Sequence, residues 1–246
     1  MTMDDKKRKQ EEIKHFSELK KNKNATWWGN TTVAGKERKK RRLELIRDFI
    51  KPAHGMRILE IGCGDGIDTA YWTNFSAKLF SMDMCYDLIA QAKKDIPHGS
   101  VSFLVSDAEL LPFADKTFDA VIGNSILHHV NILPALREIK RVLTKNGTMA
   151  FCEPNMLNPH VFLERKIPWI GKRLGISPHE TAFLRKKLKK QMERCGFHSV
   201  EIIPFDFLHP ATPRSLIQPV KRIGLALEKC FLLKEITGSL YIKASA

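Results

Sequence analysis

The chain has few cysteines, and they form no pattern. Five occur in 246 residues, at positions 63, 85, 152, 195 and 230. None pair as C-x-x-C and their number is odd, so neither a disulfide framework nor a zinc site is expected to organise the fold. A reducing, cytoplasmic setting is the simple expectation, with no metal. No apolar run approaches the roughly 20 residues that cross a bilayer. The N-terminal stretch is charged, with no apolar segment behind it, so it does not read as a secretory signal.

The chain does have charge, unevenly spread. The net charge is +14. Residues 1–42 carry +8 and residues 160–195 carry +7, whereas residues 43–159 carry −3. A mildly acidic core is thus flanked by basic additions. Such additions suit an anionic partner: a lipid headgroup, an acidic glycan or nucleic acid. The length fits one α/β domain with elaborations.

The organising stretch is Arg57-Ile58-Leu59-Glu60-Ile61-Gly62-Cys63-Gly64-Asp65-Gly66. Its apolar run lacks polar alternation and reads as a buried strand. The glycines read as a tight turn where backbone can approach a ligand with no Cβ in the way. A helix over residues 65–74 is expected to aim its free N–H groups at whatever sits there. A dinucleotide turn, G-x-G-x-x-G, wants its third glycine where Ile67 stands, which argues against a dehydrogenase. The pattern E-x-G-x-G-x-G instead resembles the first motif of the class I S-adenosylmethionine-dependent methyltransferases.

Further segments carry the same resemblance. Lys78-Leu79-Phe80-Ser81-Met82-Asp83 reads as a second strand, and Asp83 stands 21 residues past Gly62. An acid there can accept hydrogen bonds from both ribose hydroxyls. Asp107-Ala108-Glu109-Leu110-Leu111-Pro112-Phe113 is similar to the family's D-A-x-x-L-P-F, and Phe118-Asp119 through Leu127-His128-His129 to its F-D-x-V…L-H-H. The resemblance spans residues 56–155. It implies S-adenosylmethionine as cofactor, held by Glu60, Gly62, Cys63 and Gly64, by Asp83 and Met84, by Asp107 and Ala108 at the adenine, and by Asn124 and Ser125.

Strand and helix alternate, so a parallel sheet with helices on both faces is expected, its ligand at the carboxyl ends of the strands. The family implies a Rossmann-like three-layer sandwich with seven mostly parallel strands, the last antiparallel. Around it we expect a basic N-terminal arm or flap over residues 1–35, carrying Trp27 and Trp28, then a methyltransferase domain over 36–246. Residues 4–24 read as a marginal helix or a disordered arm. A basic helix is expected from Lys36 to Ile50, and others over 134–142 and 178–195. A turn is expected at Lys145-Asn146-Gly147 before a strand over 148–155. Residues 156–177 and 208–238 are candidate substrate lids. Within the second, Leu216, Ile217, Val220, Ile223, Leu227 and Phe231 recur at helical spacing, as in a helix packed on the core or one touching lipid.

Methyl transfer asks the protein mainly for positioning. A base is needed only for an un-ionised hydroxyl or amine. His128, His129 and Glu153 are the candidates, with capping and packing as their alternative roles. No Pro-Pro aromatic signature follows Asn124 and no Pro-Cys lies nearby, which argues against base-amino and cysteine-nucleophile methylases of nucleic acid. The expected acceptor is a small, anionic or amphipathic molecule, envelope- or lipid-related, with peripheral membrane contact. An RNA methyltransferase of another kind and a non-catalytic S-adenosylmethionine-binding protein stay open.

Overall fold

The structure is a computed structural model that describes residues 3–21, 31–97, 99–177 and 179–246. Trp27 and Trp28 lie outside the described residues. The core is one seven-stranded sheet built from β1 (Arg57–Ile61), β2 (Lys78–Asp83), β3 (Val101–Val105), β4 (Phe118–Asn124), β5 (Leu143–Pro154), β6 (His198–Phe205) and β7 (Ser239–Ser245), in the order β3-β2-β1-β4-β5-β7-β6. Only β7 runs antiparallel, pairing that way with both β5 and β6. Strand order reverses between β1 and β4, which opens a crevice at their carboxyl ends.

Helices cover both faces. One face packs α5 (Ile132–Val142) and α8 (Arg185–Arg194) on the sheet through Leu136, Ile139, Val142, Leu188 and Met192. The other packs α2 (Val33–Ile50) through Leu43, Ile46 and Ile50. The helix α2 starts earlier than Lys36, because Thr32 Oγ1 accepts from Gly35 N at 2.9 Å and so caps the first turn. It ends at Lys51, whose φ of 51° breaks the helix ahead of Pro52.

Three local expectations need correction. The helix after the glycine turn is only the four-residue α3 (Thr69–Trp72). Gly62, Gly64 and Gly66 all have positive φ, so the backbone leaves the turn too late to form a longer helix. Nothing there supports a strong helix dipole. Residues 145–147 lie within β5 rather than in a turn, because Leu143 already pairs with Phe118 before an irregularity in register. The basic helix near 178–195 begins only at Arg185. Before it, Phe183 bridges Asn155 in parallel and Leu184 has extended backbone.

Residues 3–21 are ordered as one helix, α1 (Met3–Lys21). It is held across the crevice, not along the sheet. The two candidate lids contain α6 (Pro159–Lys166) and α7 (Pro168–Arg173), and α9 (Ile217–Leu227). The helix α4 (Tyr86–Asp95) follows β2. No described helix is long and apolar enough to cross a membrane.

Candidate active site

One cavity of about 980 Å³ lies over the carboxyl ends of β1, β2, β4 and β5. Its floor is the glycine turn. Gly62 N and Cys63 N both donate to Met82 O, at 2.8 and 3.0 Å, which pins the turn to β2. A Cβ on Gly62 would lie 2.5 Å from Ile126 Cγ1, so the residue must be glycine for packing as well as for its φ of 72°. Gly64, at φ 54°, meets nothing: a side chain there would project into open space. That gap is the room a ligand's amino-acid end needs.

Glu60 does not line the cavity. Fully buried, its Oε2 accepts from Thr69 Oγ1 at 2.6 Å and Ser81 Oγ at 2.8 Å, and burial pushes its pKa up to about 7. Its place is behind the turn, as a brace between β1, β2 and α3. Asp83 does face the cavity. Its Oδ2 accepts from Gly64 N at 3.0 Å and its Oδ1 from Cys85 N at 2.8 Å. Each oxygen keeps a lone pair for a sugar hydroxyl. Met84, Ala108 and Cys63 line the same wall.

Asp107 orders its own loop, with Oδ1 accepting from Glu109 N at 2.8 Å, while Oδ2 meets Lys9 Nζ of α1 at 2.6 Å. Further along α1, Arg8 Nη2 pairs with Glu109 at 2.5 Å and Arg8 Nη1 donates to His129 O at 2.9 Å. Ser17 Oγ donates to Asp87 on α4, also at 2.5 Å, and Ser177 Oγ donates to Glu12. These contacts make α1 a strap over the crevice. Its Lys/Glu-rich sequence has too thin an apolar stripe to predict this, since ion pairs and hydrogen bonds hold it.

The three candidate catalytic residues adjoin each other. Glu153 is fully buried and does not line the cavity. Its Oε1 accepts from Ile126 N at 3.0 Å and Leu127 N at 2.8 Å. Its Oε2 lies 2.7 Å from His128 Nδ1, and burial raises its pKa to about 7. His128 and His129 both line the cavity. Burial drives the His128 pKa well below its usual 6.5, with His129 and Arg165 adding to the effect, so this ring is neutral. Burial would lower His129 too, but Glu12 Oε2 sits 3.1 Å from its Nδ1 and the net shift is upward. Ligand atoms of His128, His129 and Glu180 lie within 4.8 Å of one another, as a metal site would need. Arg165 Nη2, 2.8 Å from Glu180 Oε2, already brings positive charge there.

Asn124 and Ser125 close the end of β4. Asn124 Nδ2 donates to Asp68 Oδ2 at 2.8 Å. Ser125 has φ 59°, strained for a residue with a Cβ. Both touch a side chain that the sequence reading passed over. Arg42 Nη1 lies 3.0 Å from Ser125 Oγ and 3.3 Å from Asn124 Oδ1, and Arg42 Nη2 donates to Ser239 Oγ at 2.7 Å. Arg38 and Lys39, from the same face of α2, also line the cavity. The signal available was spacing: Arg38 and Arg42 stand four apart in the same helical row as the buried Ile46 and Ile50, which turns them inward with that stripe.

Fold and crevice together define a Rossmann-like three-layer domain with a deep cavity at the carboxyl ends of its strands. Comparison with known proteins narrows it. Residues 59–151 match the family described as a methyltransferase domain. A malonyl-[acyl-carrier protein] O-methyltransferase of Geobacter sulfurreducens is 29% identical over 73% of this chain and 69% of its own. A demethylmenaquinone methyltransferase of Thermobifida fusca is 27% identical over 58% of this chain and 65% of its own. The fold of an S-adenosylmethionine-dependent methyltransferase of Thermotoga maritima superposes over 95% of this chain and 99% of that one, with a TM-score of 0.67 at 18% identity. The chain carries a methyltransferase domain over residues 59–151 on a class I fold, which supports an S-adenosylmethionine-dependent methyltransferase with S-adenosylmethionine as its cofactor. The open cradle at Gly64 and the two-oxygen acceptor at Asp83 fit that molecule.

Proposed function

We propose that the protein methylates a small-molecule or envelope/lipid-related acceptor, which enters the cavity on the side of β5, β7 and α6. The observation that carries this reading is the cavity's extent. It runs without interruption from Gly64 and Asp83 to Asn158, Val161 and Leu208, far past what the cofactor residues span. The names of the two relatives add support, one acting on malonyl-[acyl-carrier protein] and the other on demethylmenaquinone.

When bound, S-adenosylmethionine supplies the activated methyl group. The chain's own share is to orient and to exclude water, and orientation alone can contribute roughly 7–11 kcal/mol to a two-reactant step. Asp83 and the Gly62–Gly64 turn fix one partner. The 3-10 turn Leu127–His129, clamped by Glu153, forms the wall beside the other. If the acceptor group carries a proton, His128 is the residue placed to take it, because Glu153 is shut off behind it, although burial weakens His128 as a base.

The protein would meet such an acceptor at a membrane surface. Leu216, Ile223, Leu225, Phe231 and Leu232 are exposed on and after α9, with exposed Arg222 and Lys229 among them. Incubation with methyl-labelled donor and an organic-solvent extract of cells is expected to move label into organic-soluble product. Label staying with the donor across all extracts, while the donor still binds, would overturn the acceptor class.

A further inference from the structure

We propose that Arg42 receives a carboxylate or phosphate group of the acceptor, and so selects an anionic substrate. This inference rests on the methyltransferase reading and names the substrate chemistry of the same cavity.

The argument begins with charge. Three arginines reach the part of the cavity beyond the cofactor residues: Arg38, Arg42 and Arg165. Two have carboxylate partners. Arg38 Nε pairs with Asp206 Oδ2 at 2.7 Å, and Arg165 Nη2 with Glu180 Oε2 at 2.8 Å. Arg42 has none within ion-pair distance among the described residues. Its contacts are all neutral: Asn124 Oδ1, Ser125 Oγ and Ser239 Oγ. Its Nε is buried and has no hydrogen-bond partner there. Burial lowers its pKa, and Arg38 beside it adds to the effect. A guanidinium cannot shed its charge, so an unpaired one withdrawn from water is costly unless an anion arrives.

Arg42 touches Asn124 and Ser125, two residues expected at the cofactor, but stands away from the glycine turn and Asp83. It bridges the end of β4 and the start of β7, whereas the glycine turn and Asp83 belong to β1 and β2. The neighbouring cation on α2, Lys39, already has a carboxylate partner, Asp68 Oδ1 at 3.1 Å. Local strain points to the same spot. Ser125 and Asp206 are non-glycine residues with φ of 59° and 78°, and they hold the two arginines Arg42 and Arg38. Val161, Phe207 and Leu208 line the same cavity. An anionic head with an apolar body matches that lining.

The test uses the full chain and defined probes: decanoate, decyl phosphate, inorganic phosphate and, as neutral control, decanol. Each is titrated calorimetrically into protein alone and into protein saturated with S-adenosylhomocysteine. Decanoate or decyl phosphate is expected to bind more tightly than decanol, and the stronger of the two identifies the acceptor group. Arg42→Gln is expected to weaken that anion about ten- to hundredfold, the range of a lost charge-assisted pair, while leaving S-adenosylhomocysteine affinity within about twofold. Arg42→Lys, which keeps the charge, is expected to fall between and provides the answer if the glutamine variant does not fold. Equal binding of decanol and both anions would overturn the proposal, as would an Arg42→Lys variant that binds them like wild type. A parallel loss of S-adenosylhomocysteine would also overturn it, assigning the guanidinium to the cofactor's carboxylate. Wild-type protein that binds decanoate but gives no heat with S-adenosylhomocysteine would sink the methyl-donor reading alone.

Discussion

The two halves of the cavity are built from different materials. On the β1–β2 side, the wall is made by backbone and carboxylate: a glycine turn, and Asp83 with both oxygens already anchored to N–H groups. On the β5–β7 side it is made by long cationic side chains from α2 and α6, steadied by Asp206, Ser239 and Glu180. The first half is rigid and specific to one molecule. The second is adjustable by substitution on helices and insertions, so acceptor choice can change while the donor site stays.

The largest expected effect comes from the rigid half. Asp83→Ala removes two charge-assisted acceptors and should weaken S-adenosylhomocysteine about a hundredfold or more in calorimetry. An unchanged titration would remove the sugar from Asp83. Next is the clamp shared by the two halves. His128→Ala removes the partner of Glu153 Oε2 while Oε1 keeps Ile126 N and Leu127 N, and should cost about 1–3 kcal/mol of stability, read by urea unfolding. A drop in turnover with no loss of stability would make His128 a base and not a brace.

A smaller effect is expected at the strap. The raised pKa of His129 means that its contact with Glu12 stabilises α1 fully below about 6.5 and weakens as pH rises through the raised value. The lowered pKa of Glu12, which burial opposes but His129 imposes, means the same contact fails on the acid side only below 4.5. Glu180 and Glu153 also face His129 and hold its proton. Hydrogen exchange of residues 3–21 should therefore be slowest in mildly acidic buffer and quicken above neutrality. Exchange in α1 that does not change with pH, after correction for intrinsic rate, would detach the strap from this pair. The smallest effect belongs to the outer face: Phe231→Ser should reduce pelleting with anionic vesicles several-fold without touching donor affinity. Equal pelleting of variant and wild type would move any membrane contact elsewhere.

Sequence legibility follows the same division. The rigid half was readable because backbone demands fix residue types. Only glycine tolerates the turn, and only an acid at the end of β2 serves a sugar, so Gly62, Gly64 and Asp83 announce themselves locally. The strands could be placed because apolar runs alternate with helical stripes, and β2 and β4 begin and end where that pattern changes. Arg42 and the α1 contacts were not readable. A lysine- and arginine-rich helix has the same pattern whether its cations face water or a crevice, and their partners at 124, 125 and 239 are far away in the chain. The short α3 was missed because helical propensity after residue 65 says nothing about how long positive φ persists.

The most direct measurement is a crossed pair of titrations on Asp83→Ala and Arg42→Gln, each with S-adenosylhomocysteine and with decanoate. The account predicts opposite losses: Asp83→Ala loses the nucleoside and keeps the anion, and Arg42→Gln does the reverse. Both ligands falling together in either folded variant would contradict a cavity made of two independent halves.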